Sequence, residues 1–556
     1  NRGQGSNIVP LTEAIVGGIR PMLIVLLIGA ALLLLIASVN VAGLLLVRAE
    51  GRRREIAVRS ALGASRARVA AQFVTEGAVL VAAGGVLGLA AAKWGIGLLQ
   101  DLIPADVLAR MTYLQGVGLN IRVVAFACGI ALLAAILFAA IPLLHVRTAS
   151  SRALAEGGRG SAGLGWRRLG ARMVVVELAT AMVLLTAAGL LGRSLNALLR
   201  VDVGLRPDGL ATLQLTAPDR KYSDNAQIVA FQREVEQSIA ALPGVTQVGV
   251  SSRKPLAGGN TMWIRVLGRP YHGEHNEVHY REVSPGYFPA LGAQLVRGRG
   301  ITEADDVTGP AVVVVNEALV RTYFPNEDPL GQHLAYPDEG STPMEIVGIV
   351  RDIKEAPLDE ATPPTIYVAF AQDPTSGFTV FARTSVAPSS LVPAMTDAVK
   401  RIDPDVTTFQ GRTMEDAIND SPPAYLRRSV ASLVGSFAAV AWVLGLIGLY
   451  GVIAYSVSQR TREIGVRVAL GARPGSVYRL ILREAGLVIG IGLAAGALFA
   501  VFGATLMHSL LFGVTAWDAP TLAAVGVTLG VSALLASAVP ARRAASVDPV
   551  DALRAE

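Results

Sequence analysis

The chain has 556 residues, 52% of them hydrophobic, with a mean hydropathy of +0.49 and a net charge of +6. That apolar mass excludes an ordinary soluble protein of this size and points to a membrane class. The single cysteine, Cys128, excludes a disulfide framework or a cysteine metal cluster and reads as a small apolar residue.

The net charge hides an asymmetry. Residues 201–425 hold about 29 acids against about 18 Lys plus Arg, near −11, which leaves the remainder near +17. The basic residues sit at the ends of apolar spans. Charge there orients helices in a bilayer, so the chain is read without a nucleic-acid partner.

Residues 1–19 begin polar and turn-like and carry no signal peptide of the n-h-c type. Seven apolar stretches are then long enough to cross a bilayer, at 21–47, 73–99, 122–146, 173–195, 430–457, 480–510 and 519–541. All are expected to be helices, because the backbone must satisfy its own hydrogen bonds in lipid. Arginines cluster after spans one and five, between spans three and four, and after span seven. Alternating crossings put all four clusters on one side, the cytoplasm by the positive-inside tendency. The segment 198–428 then lies outside.

That segment reads as an α+β domain. Strand-like runs occur at 211–215, 245–250, 311–315, 345–350 and 379–382. Phe231, Val235 and Ile239 line one helical face, and Leu391, Met395 and Val399 another. Asp208-Gly209, Pro243-Gly244 and Pro285-Gly286 are turn signals. His272, His275 and His279 invite a metal reading, but their Gly/Glu/Asn-rich setting reads as a solvated loop, so no metal site is expected.

A charged block occurs twice. Arg53-Arg54-Glu55-Ile56-Ala57-Val58-Arg59 leads to Gly63, and Thr461-Arg462-Glu463-Ile464-Gly465-Val466-Arg467 leads to Gly471. Each lies between two apolar spans, as an exposed charged helix against the inner membrane face would, with the glycine ending it. The bland alternative is a positive loop attracted to anionic lipid. Repetition with Glu at one phase favours a docking helix for a cytoplasmic partner. A shift of 408 residues also superposes Glu76 on Glu484, and Gly84-x-x-x-Gly88 on Gly492-x-x-x-Gly496. These glycine pairs are expected to pack the module's own helices closely. Glu76 and Glu484 are read as interfacial acids beside the basic loops, and Lys93 as snorkelling outward.

The expected organisation has six parts: 1–19, the remnant of a first extracytoplasmic domain; 20–150, a three-helix membrane module; 151–172, a basic cytoplasmic linker; 173–197, a span leading outward; 198–428, the outer domain; and 429–556, a second three-helix module. None of the five lysines follows Gly and precedes Ser or Thr, so a phosphate-cradling loop is absent, as is a Gly-x-Ser-x-Gly nucleophile motif. No catalytic residue and no cofactor are expected.

The repeated blocks resemble the FtsX-like, MacB-type permeases of ABC systems. So does the closing run Pro540-Ala541-Arg542-Arg543-Ala544 through Asp548-Pro549-Val550-Asp551-Ala552-Leu553-Arg554. In the outer segment, Leu242-Pro243-Gly244-Val245, Val283-Ser284-Pro285-Gly286-Tyr287-Phe288, Val315-Asn316-Glu317 and Asp328-Pro329-Leu330-Gly331 are similar to that family's periplasmic core domain. The duplication in one chain, with Asn40 near the inner end of span one, looks like the acidobacterial duplicated orphan permeases, here N-terminally truncated.

The resemblance implies a polytopic α-helical protein of the bacterial inner membrane with a periplasmic α+β domain. It implies ATP hydrolysis on separate ABC ATPase subunits that dock at Arg53, Arg54, Glu55, Ile56, Arg59 and Gly63, and at Arg462, Glu463, Ile464, Arg467 and Gly471. It further implies mechanical transmission to the outer domain, for export of a drug, peptide or lipid-linked substrate or for regulation of an extracytoplasmic enzyme. Membrane lipid, a periplasmic adaptor and a second permease are the other implied partners.

Overall fold

The computed structural model describes residues 10, 17, 19–51, 66–102, 118–133, 161–338, 340–470 and 472–546. They form two units: a helical one, through Leu191 with Val430–Leu511 and Thr515 onward, and a mixed one, Gly192–Ser429 with Phe512–Val514.

In chain order the first helices are α1 (Arg20–Gly51), α2 (Arg66–Leu102), α3 (Ile121–Leu133) and α4 (Ser161–Leu199). The mixed unit follows with β1 (Leu210–Thr216), α5 (Asn225–Ala240), β2 (Val245–Ser251), β3 (Thr261–Val266), β4 (Asn276–Val283), α6 (Tyr287–Leu291), β5 (Leu295–Gly298) and β6 (Val312–Asn316). It continues with α7 (Glu317–Tyr323), β7 (His333–Ala335), β8 (Met344–Val350), β9 (Thr365–Ala369), β10 (Gly377–Thr384), α8 (Pro388–Ile402), β11 (Thr407–Thr413) and α9 (Met414–Asn419). The chain then runs through α10 (Pro422–Ser458), α11 (Thr461–Ala469), α12 (Pro474–Leu506) and α13 (Ala519–Ala545).

Among the described residues, six helices are long and apolar enough to cross a membrane, at six of the seven expected stretches. The third stretch is described only as α3, and the rest of it lies outside the described residues.

Helix α4 is the hub of the helical unit, with 56% of its apolar window buried against 0–28% in the other spans. Small residues set its neighbours' approach. Cβ atoms placed on Gly492 and Gly496 of α12 would stand 3.0 Å from Leu178 Cβ and 2.6 Å from Met182 Cβ. One on Gly189 of α4 would stand 2.7 Å from the Thr521 methyl of α13. Only a missing side chain lets these backbones meet so closely. Trp442 of α10 donates to Ser532 Oγ of α13 at 3.0 Å, which satisfies an indole N–H away from water. Gly84 and Gly88 of α2 differ from their repeat partners. Among the described residues nothing lies within 4 Å of a Cβ on either, so the close packing expected there is not made by described helices. A small-residue pair permits approach but does not supply a partner.

The mixed unit holds one sheet with the path β11-β1-β10-β2-β4-β3-β7-β8-β6-β9. Strand β9 returns to pair with β4 in parallel, so β4, β3, β7, β8, β6 and β9 close a ring. Its lining includes Ile264, Val278, Val313, Leu334, Ile346 and Ile366, all fully buried. Closure removes the edges that would otherwise invite foreign strands. Strands β11, β1, β10 and β2 form the antiparallel remainder. Helices α5 and α8 cover one face of it, through Phe231, Val235, Ile239, Leu391, Met395 and Val399.

All five strand-like runs are strands. The turns at Gly209 (φ +69°) and Gly244 (φ +85°) occupy the left-handed region that glycine tolerates. Gly286 does not; it has φ −77° and precedes α6. It is needed there for space, because a Cβ would stand 1.9 Å from the Val248 carbonyl oxygen. The three histidines do not share one loop. His279 lies on β4 beside Arg281 Nη2 at 3.2 Å, and His275 stacks on Trp263 at 3.9 Å between ring centroids.

Candidate functional site

Helix α10 ends at Ser458, the chain turns at Gln459-Arg460, and α11 runs from Thr461 to Ala469 before α12 starts at Pro474. Proline at the first helical position suits α12, since its missing N–H costs no hydrogen bond there. Nine residues form a marginal helix alone. Ile464 anchors it, 7% exposed, among Leu449, Ile453, Val477 and Ile481 of α10 and α12. The opposite face carries Glu463, Val466, Arg467 and Leu470, with Val466 41% and Leu470 83% exposed.

Two ion pairs shape this end. Arg460 Nη1 stands 3.1 Å from Glu484 Oε2 and binds Oε1 at 3.3 Å, tying the turn to α12. Arg467 Nη2 meets Glu463 Oε1 at 2.7 Å, one helical turn apart and open to solvent. A cavity of about 430 Å³ opens beside α11, with Val174, Leu449 and Ile481 in its walls and Arg168, Arg460 and Glu463 at its rim.

Of the expected docking residues, Glu463, Ile464 and Arg467 lie on α11 as described. Arg462 belongs to the same helix, while Gly471 and the whole first block, Arg53, Arg54, Glu55, Ile56, Arg59 and Gly63, lie outside the described side chains. Sequence reading missed Glu177, an acid on α4 that is 2% exposed. Its signal was a lone carboxylate inside an otherwise apolar span.

The outer-domain motifs hold structure. Asn316 Oδ1 accepts from Leu319 N and Thr365 N at 3.0 and 2.9 Å, capping α7 and fixing the start of β9. Asp328 accepts from Arg297 at 2.7 Å, and Gly331 takes φ +76°. Tyr287 is fully buried, edge-on to Phe288 and Phe381.

The family model for the FtsX-like permease C-terminal region matches twice, over residues 27–151 and 435–549, and that for the MacB-like periplasmic core domain matches residues 176–402. The chain belongs to the FtsX-like, MacB-type ABC permease family. It is a multi-pass protein of the inner membrane with a periplasmic core domain.

Among curated relatives it is 27% identical over 333 residues to the macrolide export ATP-binding/permease protein MacB of Marinobacter nauticus, covering 58% of this chain and 48% of that protein. It is 27% identical over 312 residues to the pyoverdine export ATP-binding/permease protein PvdT of Pseudomonas putida, covering 54% and 45%. To the uncharacterized ABC transporter permease YknZ of Bacillus subtilis it is 24% identical, covering 63% and 86%. The chain thus spans about half the length of the MacB and PvdT relatives it matches. Among solved structures, the periplasmic region of MacB from Actinobacillus actinomycetemcomitans matches at a TM-score of 0.27 and 16% identity, covering 39% of this chain and 92% of that one.

Proposed function

We propose that this permease is the membrane component of an ABC export system whose ATPase sits on a separate chain and grips α11. The observation that carries this reading is the two-faced build of α11. One side is locked into α10 and α12 by Ile464, and the other offers Glu463, Val466, Arg467 and Leu470. A partner pushing on the free face loads the anchored one. The matching first block, Arg53 to Gly63, is the second grip.

Displacement then travels along α10 and α4, the helices that lead into the periplasmic segment. A packed helix is stiff along its axis. At 1.5 Å per residue the 37 residues of α10 span about 55 Å, more than the bilayer core. The burial of α4 against α1, α10, α12 and α13 supports its role as the shared rod. The six-part organisation given above, with outer domain 198–428 between modules 20–150 and 429–556, fits this transmission. The cargo class is a drug, peptide or lipid-linked molecule.

Charge reversal at Glu55 and Glu463 together tests the grip. Loss of ATPase co-purification is expected, and undiminished recovery of the ATPase would sink the reading. ATP-dependent efflux from vesicles separates export from regulation of an extracytoplasmic enzyme.

A further inference from the structure

Glu177 has no role in the docking surface. It sits within α4, and its Oε2 is fully enclosed and has no hydrogen-bond partner among the described residues. Asn40 of α1 comes to the same place. Its Nδ2 donates to the Leu444 carbonyl of α10 at 3.1 Å, which fixes the amide and leaves Oδ1 pointing the other way. A Cβ on Gly448 of α10 would stand 2.1 Å from Glu177 Oε2 and 2.4 Å from Asn40 Oδ1. Two oxygens from different helices therefore crowd together against the Gly448 backbone, where a Cβ would not fit.

Both oxygens are acceptors, and no described donor reaches Glu177 Oε2. Such a pair inside a bundle is expensive without a positive occupant. Three described charged or titratable groups on the packed helices are exposed or engaged elsewhere. Arg172 on α4 is exposed, Tyr450 on α10 accepts from Arg543 of α13, and Glu484 on α12 is paired with Arg460.

We propose that Glu177 Oε2 and Asn40 Oδ1 form an intramembrane site for a small cation, a proton or an alkali ion, whose occupancy holds α1, α4 and α10 together. Hard cations take oxygen ligands of this kind. A site joining three spans makes the packing of α4 against α10 depend on the cation present. This goes beyond the docking reading and does not rest on it.

The test uses the full chain in detergent, with melting followed by intrinsic fluorescence. One arm titrates pH with choline as the only added cation; the other titrates NaCl against choline chloride at fixed pH and ionic strength. Wild type is expected to shift in one arm, and Glu177→Gln to lose that shift while keeping the packing volume. A pH response with a carboxylic-acid stretch in the infrared, absent in Glu177→Gln, names the proton. A sodium response names the alkali ion. Gly448→Ala, whose Cβ would push both oxygens out of place, is expected to abolish the same response. If Glu177→Gln fails to fold, Asn40→Ala keeps the carboxyl and removes one ligand; its midpoint is expected to move at least tenfold in cation concentration. Identical responses in wild type and Glu177→Gln, or an unmoved midpoint in Asn40→Ala, overturn the site.

Discussion

The Arg460 guanidinium stands 3.1 Å from the Glu484 carboxylate, so the turn leading into α11 is fastened to α12 and not only to the helix it follows. The side chains are 21% and 42% exposed, which limits the pair to about 1 kcal/mol of stability. Its larger effect is geometric. Arg460→Ala is therefore expected to leave melting nearly unchanged but to weaken ATPase association by about tenfold, about 1.4 kcal/mol. Pull-down of the ATPase beside a melting curve checks both halves. A large loss of melting temperature with intact association would reverse the assignment.

The exposed Glu463–Arg467 pair permits a sharper separation. At 53% and 51% exposure it adds only about 0.3–0.5 kcal/mol to a helix that Ile464 already anchors. Glu463→Lys should then act on docking alone. Ile464→Ala should act on both, because it removes the anchor at a cost of about 2–5 kcal/mol. Comparing the two variants by melting and by ATPase recovery shows whether the two faces of α11 carry separate duties.

Glycine placement makes a third prediction inside the helical unit. Gly496→Ala drives a Cβ to 2.6 Å from Met182 Cβ and 2.9 Å from Ala179 Cα, and a helix backbone cannot yield cheaply. A loss of about 1–3 kcal/mol is expected from overpacking. Gly503→Ala on the same helix meets nothing within 4 Å and should be neutral or slightly stabilising. Equal melting of the two variants would show that α4 and α12 do not meet at Gly496.

The contrast between Gly496 and Gly84 also shows what a sequence can carry. The repeat makes the two glycine pairs equivalent on paper, yet only the second finds a described neighbour, since a motif specifies permission and not a partner. Span positions were readable because lipid demands length and apolarity, which composition records directly. Strands β1, β2, β6, β8 and β10 were readable from their β-branched runs. Strand β4, Asn276–Val283, was not: among its polar residues Arg281 and Glu282 are buried, and their burial depends on partners far along the chain. Glu177 was overlooked for a related reason. Its significance lies in Asn40 and Gly448, 137 and 271 residues away, which no local window joins.

Arg281 gives the outer domain its clearest stability prediction. It and Glu355 are both 0% exposed, 2.8 Å apart, and Tyr367 also donates to Glu355 at 3.1 Å. Removing one partner strands a buried charge. Glu355→Ala is expected to cost about 3–5 kcal/mol, while the double variant Arg281→Met, Glu355→Leu should recover much of it. Melting of the full chain, read by tyrosine and tryptophan fluorescence, distinguishes a stranded charge from a generic cavity, which the double variant would not repair.

Glu236 on α5 sets a pH dependence in the same domain. Burial pushes its carboxyl up from the ordinary 4.5 to about 7, with the Glu303 carboxylate adding to the rise and the Ser284 hydroxyl, 2.5 Å away, opposing it. The folded state therefore holds this proton more tightly than the unfolded chain. Its contribution is complete below about pH 4.5 and is lost as pH climbs to about 7. Glu236→Gln should remove that slope, match wild type at the acid end and exceed it by about 1–3 kcal/mol at pH 8. Denaturant unfolding of both proteins at pH 5 and pH 8 decides it. A wild type that gains stability across this window relative to the variant would mean that the carboxylate, and not the acid, is the form the fold prefers.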